Sequence, residues 1–169
     1  QEYFSVLRLE GNNNDVQTMM VGRAGADIKS TEASDEGGNA EVVVAIIDSG
    51  LDRFHPDLNG SVWNNVDEVP ANNADDDHNG YIDDTWGWDY SANEASIPIY
   101  SDNDPNDTFG HGTHCAGIIG AQTNNAYGIA GVSRHAKLMP LKIYPTMSVS
   151  LAAKAVIYAT DNGADIISM

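Results

Sequence analysis

Val42-Val43-Val44-Ala45-Ile46-Ile47-Asp48-Ser49-Gly50 is the stretch that decides the fold. It is apolar without a break, β-branched except at Ala45, and closed by a carboxylate and a Ser-Gly turn. A strand open to water on one face alternates apolar with polar residues, so a run without alternation predicts a strand covered on both faces, as in parallel sheets. Working outward, residues 111–121 read as a helix of small residues packed close, Ala136-Lys137-Leu138-Met139-Pro140-Leu141-Lys142-Ile143-Tyr144 as a second strand, and residues 164–169 as the start of a third. Pro140 has no N–H to give to a ladder, so the second strand is expected to be irregular or to lie at an edge. Ser150 is the expected cap of a helix running to about Asn162, with Leu151, Ala155, Val156 and Ala159 on its buried face and Gly163 closing it. Strand, helix, strand, helix, strand is the alternation of an α/β domain with helices on both sides of its sheet.

Upstream the pattern is looser. A short strand is expected over residues 3–10 and a short helix over residues 28–36, ended by Gly37-Gly38. The expected organisation is therefore an N-terminal segment over residues 1–40, either the remnant of a prosegment or an arm of the mature chain, and one domain over residues 41–169. A chain of 169 residues with 41% hydrophobic content can bury one real core. Eight basic against 25 acidic residues give a formal charge of −17, which disfavours nucleic acid and anionic membrane surfaces as partners and favours cations. No apolar run approaches the roughly 18 to 20 residues that cross a bilayer. Cys115 is the single cysteine, so no disulfide forms within the chain.

The candidate chemistry begins at Asp48, which stands at the carboxyl end of its strand, where open α/β sheets place their ligands. Taken alone, an aspartate there more often caps the following turn. His111 changes the balance, because Gly110 and Gly112 flank it at a helix entrance and allow close backbone approach. A carboxylate bonded to one imidazole nitrogen fixes the tautomer, frees the other nitrogen to take a proton, and stabilises the resulting imidazolium. Two competing readings of this helix are weaker. His111-x-x-His114 has a spacing that can present two imidazoles to zinc but lacks the glutamate base of a zinc hydrolase, and Cys115, one helical turn from His111, fits a small buried hydrophobe better than a thiol nucleophile.

The acidic run Asp75-Asp76-Asp77-His78-Asn79-Gly80-Tyr81-Ile82-Asp83-Asp84 offers oxygen donors at alternate positions. Asp75, Asp77 and Asn79 can supply side-chain oxygens to calcium, Tyr81 a backbone carbonyl, and Asp83 or Asp84 a closing carboxylate. Trp86 stands where an EF-hand needs its bidentate glutamate, so a whole EF-hand is not expected. The plain alternative is an acidic surface loop.

Ile46-Ile47-Asp48-Ser49-Gly50-Leu51-Asp52, His55-Pro56-Asp57-Leu58 and His111-Gly112-Thr113-His114-Cys115-Ala116-Gly117 together resemble successive signatures of the subtilisin-like serine proteases. Tyr81-Ile82-Asp83-Asp84 and Gly128-Ile129-Ala130-Gly131-Val132 are in the same style, and the similarity runs from about Glu41 to Met169. The resemblance implies a three-layer α/β/α fold with a parallel sheet. It implies a serine endopeptidase acting on polypeptides, with Asp48 orienting His111 and His111 serving as general base and then acid. It also implies secretion, an inhibitory prosegment as partner, and calcium, since some calcium-dependent members look similar over residues 75–84. The family's nucleophile lies in a Gly-Thr-Ser context that has no counterpart here, and neither Ser133 nor Ser168 sits in a glycine elbow. The expectation is that these residues form the N-terminal part of a longer catalytic domain, truncated before the nucleophile-bearing half, and hydrolyse nothing alone. The contrasting expectation is a catalytically inactive calcium-binding or protein-interaction module on the same fold.

Overall fold

The structure is a computed structural model that describes residues 40–91 and 101–169. The strand expected over residues 3–10 and the helix expected over residues 28–36 lie outside the described residues. The valine-rich run forms β1 (Val42–Asp48), and β2 (Trp88–Asp89), β3 (Ala136–Lys142) and β4 (Ile166–Ser168) complete one sheet in the order β2-β3-β1-β4. Every pairing is parallel, and β1 runs beside β3 from Val42↔Ala136 to Asp48↔Lys142. Helix α1 (His111–Gly120) follows β2 and helix α2 (Val149–Asp161) follows β3.

Period-two alternation sends neighbouring residues of β1 to opposite faces, and both faces are dry. Val44 and Ile46 join Leu138, Ala116 and Trp86 beneath α1, whereas Ala45 and Ile47 join Met139, Leu141, Leu151, Ala155 and Tyr158 beneath α2. This is the expected three-layer α/β/α arrangement. It also fixes where the chemistry sits. Asp48 follows Ile46 by two residues, so its side chain emerges on the α1 face, at the carboxyl edge of the sheet, where α1 begins with His111.

Pro140 departs from expectation, because β3 is neither interrupted nor at an edge. The reason is parity. Leu138 and Lys142, which share Pro140's orientation, direct their backbone groups away from β1: Leu138 N donates to Ser61 O, and Tyr90 N donates to Lys142 O. On the other side Ile143 N donates to Asp48 O, so the β1 ladder uses the alternate residues. The missing N–H of Pro140 therefore faces away from β1 and removes no rung between the two long strands. The two-residue β2, which the sequence did not announce, is tied to β3 by a buried Lys142 Nζ–Asp89 Oδ2 ion pair at 2.7 Å.

The cap of α2 is also displaced from expectation. Ser148, not Ser150, is the extended residue whose Oγ accepts from Leu151 N, and the Ser150 hydroxyl lies within the first turn, 3.0 Å from that of Ser148. Leu151, Ala155 and Ala159 are buried as expected, but the fourth buried position is Tyr158, with Val156 only partly covered. Gly163 closes the helix at φ +78°.

Candidate active site

Both oxygens of Asp48 lie 2.8 Å from His111 Nδ1. Ser49 N donates to Asp48 Oδ1 at 2.6 Å, which fixes the carboxylate from its own strand end. Two carboxylate acceptors on Nδ1 require that nitrogen to carry the proton in a neutral ring, so Nε2 is left as the free base. The hydrogen bond to Asp48, and then the charge of that carboxylate, raise the pKa of His111 above the ordinary histidine value. Desolvation opposes them, and the charge of Asp107 adds to them. The imidazole is 61% exposed and Asp48 17%. A proton acceptor open to solvent and backed by a shielded carboxylate is the arrangement needed to deprotonate an incoming nucleophile.

Glycine makes this approach geometrically possible. A Cβ at Gly112 would stand 2.2 Å from Gly50 O and 3.2 Å from Asp48 Cβ, so any side chain there would push α1 off the end of β1. Gly110, at φ +99°, turns the chain into the helix but offers no side chain to cap it. The cap comes from Asp107, which sequence reasoning missed. Its carboxylate accepts from Phe109 N, Gly110 N, Thr113 N, Thr113 Oγ1 and Ser49 Oγ, at 2.7 to 3.0 Å. Burial pushes the pKa of Asp107 up, but the bonds from Gly110 N, Thr113 Oγ1, Thr113 N and Phe109 N together outweigh it, and the net shift is downward. The only sequence signal was an acidic residue just ahead of a helix start, outside the N-cap position where one looks for it.

Cys115 Sγ stands 3.9 and 4.0 Å from the two ring nitrogens of His111. Burial and the charge of Asp48 raise its pKa, which keeps the thiol protonated and argues against a thiolate nucleophile. His114 is exposed, and the group of three possible metal ligands that includes His111 among the described residues is completed by Asp48 and Cys115 and does not include His114. Among the described residues no serine hydroxyl is hydrogen-bonded to His111.

The acidic loop gathers some of its expected residues and engages others elsewhere. Asp77 and Asp84 come together with Glu68, with one oxygen from each lying within 4.8 Å of the others. Asp75 instead closes a tight turn by accepting from Asn79 N and Gly80 N, and Asp83 accepts from Asn72 N and Asn73 N. Asn79 donates its amide to both Asp77 and Asp84. The Tyr81 side chain leaves the loop to pack edge-on against Trp88, Tyr90 and Tyr158. Asp84 is fully buried and accepts from Asn65, Asn79 and the Tyr158 hydroxyl on α2. Glu68 is buried too, and its Oε2 has no hydrogen-bond partner, although Oε1 accepts from Asp76 N and Asp77 N. Three converging carboxylates with an orphaned buried oxygen fit a hard cation, since buried charge is otherwise costly. Glu68 lies outside the alternating run and bears no fixed spacing to it, so the sequence carried no signal for it.

This chain is similar in sequence and fold to known proteases. The model of the subtilase family matches residues 39–169. The chain is 41% identical over 100 residues to Subtilisin-like protease 1 of Plasmodium berghei (strain Anka), covering 59% of this chain and 15% of that protein. It is 34% identical over 146 residues to the Extracellular protease of Xanthomonas campestris pv. campestris, covering 82% of this chain and 24% of that one. Among solved structures it is similar to fervidolysin from Fervidobacterium pennivorans, described as a keratinolytic enzyme related to subtilisin, with TM-score 0.50 and 26% identity over 85% of this chain and 18% of that one. The chain thus spans less than a third of each of these relatives. A parallel sheet that delivers Asp48 to His111, within a family match covering every described strand and helix but not residues 1–38, leads to one conclusion: this chain belongs to the subtilase family.

Proposed function

We propose that this chain supplies the aspartate and histidine of a serine-type endopeptidase that cleaves polypeptides. The observation that carries the reading is the His111 Nδ1–Asp48 contact, which leaves Nε2 unprotonated and open to solvent at the carboxyl edge of the sheet. In the reaction Nε2 takes the proton of a serine hydroxyl as that oxygen attacks the scissile carbonyl, and then returns it to the leaving amine. Asp48 holds the ring and stabilises the imidazolium formed between those two steps. The nucleophile is not among the described residues near His111, so we propose that the 169 residues hydrolyse nothing without a serine-bearing segment.

Calcium is the cation proposed for the acidic loop, held by Glu68, Asp77 and Asp84, with Asn79 and the Tyr81 carbonyl as further oxygen sources. It would neutralise converging charge and crosslink the loop, with no part in bond cleavage. Secretion is proposed from the similarity to a protein named as extracellular, and no described helix is long and apolar enough to cross a membrane.

Casein hydrolysis tests the reading. The complete protein is expected to turn over substrate, His111→Ala to lose about 10⁶-fold in kcat, and the 169-residue chain to show none. Absence of turnover in the complete protein refutes the peptidase reading, whereas turnover by the 169-residue chain that disappears in His111→Ala refutes the need for a further segment.

A further inference from the structure

His111 is held in place by something other than packing. Its ring is largely exposed, and the groups facing it are Asp48 from β1, Cys115 from α1 and, at longer range, the charge of Asp107 from the loop before α1. The orientation of the ring therefore depends on where the backbone of the first helical turn stands relative to the end of β1.

Asp107 joins those two places through one carboxylate. Oδ1 accepts from Ser49 Oγ, Phe109 N and Gly110 N, and Oδ2 accepts from Thr113 N and Thr113 Oγ1. Each hydroxyl then passes the connection on. Ser49 Oγ, adjacent to Asp48, accepts from Gly112 N at 2.8 Å, and Thr113 Oγ1 accepts from Asp52 N at 3.0 Å. The backbone on both sides of His111, at Gly110 and Gly112, is thus tied to the residue that follows Asp48. The bonds to the Asp107 carboxylate are charge-assisted, and those from Gly110 N and Thr113 N replace a side-chain cap that Gly110 cannot supply.

We propose that Asp107 is a positioning residue for the Asp48–His111 pair, fixing the first turn of α1 against the exit of β1 so that Nδ1 meets Asp48 and Nε2 faces the substrate. The inference rests on the peptidase reading for its kinetic consequence but not for its spectroscopic one. The test uses the complete protein with Asp107→Asn and Ser49→Ala, read by peptidase kinetics and by NMR of labelled histidine, with His111 assigned through His111→Gln.

In Asp107→Asn, kcat is expected to fall about 10- to 100-fold with KM changed less than about twofold, the scale expected for a slightly misplaced catalytic group. The titration midpoint of His111 moves to lower pH as a favourable negative charge is lost, and the low-field Nδ1–H resonance of the Asp48 bond weakens. Ser49→Ala keeps the charge of Asp107 and removes one link. It is expected to show the same kcat-selective loss, smaller, with faster exchange of that Nδ1–H. If Asp107→Asn does not fold, Ser49→Ala decides alone. Folded variants that keep the parent's Nδ1–H resonance and exchange rate overturn the proposal, as does an equal loss in kcat/KM arising wholly from KM. A parent without turnover sinks the peptidase reading only, because the two NMR readouts still judge Asp107.

Discussion

His111 is 61% exposed and takes one carboxylate partner, whereas Asp84 is fully buried and takes three donors from three separate segments. The first belongs to a site built where a strand ends and a helix begins, both fixed by the sheet. The second belongs to a loop whose own side chains must fix it. An exposed imidazole remains free to exchange protons with a substrate, and the regular elements behind it carry the cost of precision. A buried carboxylate cluster has little chemistry to offer a substrate, and its geometry suits holding an ion.

The sharpest way to break this comparison is to exchange the two sites' readouts. Asp48→Asn in the complete protein is expected to lower kcat about 10⁴-fold while leaving the calcium dependence of thermal unfolding unchanged. Glu68→Gln is expected to do the reverse, weakening calcium binding with little effect on turnover in saturating calcium. For the parent, if calcium is the ion held, calcium at about 100 times its Kd is expected to add about 2.7 kcal/mol, a rise of about 5 to 10 °C in Tm that a chelator abolishes. Calorimetry that finds identical unfolding with calcium and with chelator would remove the cation site. A parent-like calcium response in Glu68→Gln would instead place the ion among other residues.

A smaller effect sharpens the boundary between loop and core. Tyr158→Phe deletes the α2 donor to Asp84 and leaves a buried carboxylate one bond short, for an expected loss of about 1 to 3 kcal/mol in urea unfolding. No loss would mean that α2 and the loop are energetically independent.

The smallest effects are those of pH, and two groups at the start of α1 have opposite signs. Asp107 has a lowered pKa in the folded protein, so its contribution is present above the unfolded carboxylate value of about 3.9 and is lost as pH falls through the folded value. His111 has a raised pKa, so its contribution is fully present below the unfolded histidine value of about 6.5 and is lost as pH rises through the folded value. Difference melts of Asp107→Asn against the parent between pH 2 and 6, and of His111→Gln against the parent between pH 5 and 9, are expected to show these two slopes. Coincident melts across either range would contradict the corresponding bond network.

The contrast also explains what could be read from the sequence. β1, β3 and β4 were legible as apolar runs, α1 as a run of small residues and α2 from its helical period, and Asp48 and His111 were legible because they sit at the ends of such elements. Pro140 was misjudged because a one-strand rule cannot tell which side of β3 its nitrogen faces, something only the pairing with β1 and Ser61 decides. Ser148 and Ser150 are both competent caps, and the choice follows from which backbone is extended. Glu68 and β2 stayed hidden because their partners come from distant or irregular segments, whereas the donors to Asp107 are mostly local and it was missed because it lies three residues ahead of the N-cap Gly110.

Tyr81 reaches from the acidic loop into a nest of rings made by Trp88, Tyr90 and Tyr158, with centroids 4.9 to 6.0 Å away. Chromophores so close and so fixed give strong near-ultraviolet circular dichroism only while their mutual angles persist. The loop therefore carries its own optical gauge, and opening it dims the signal even if every helix survives.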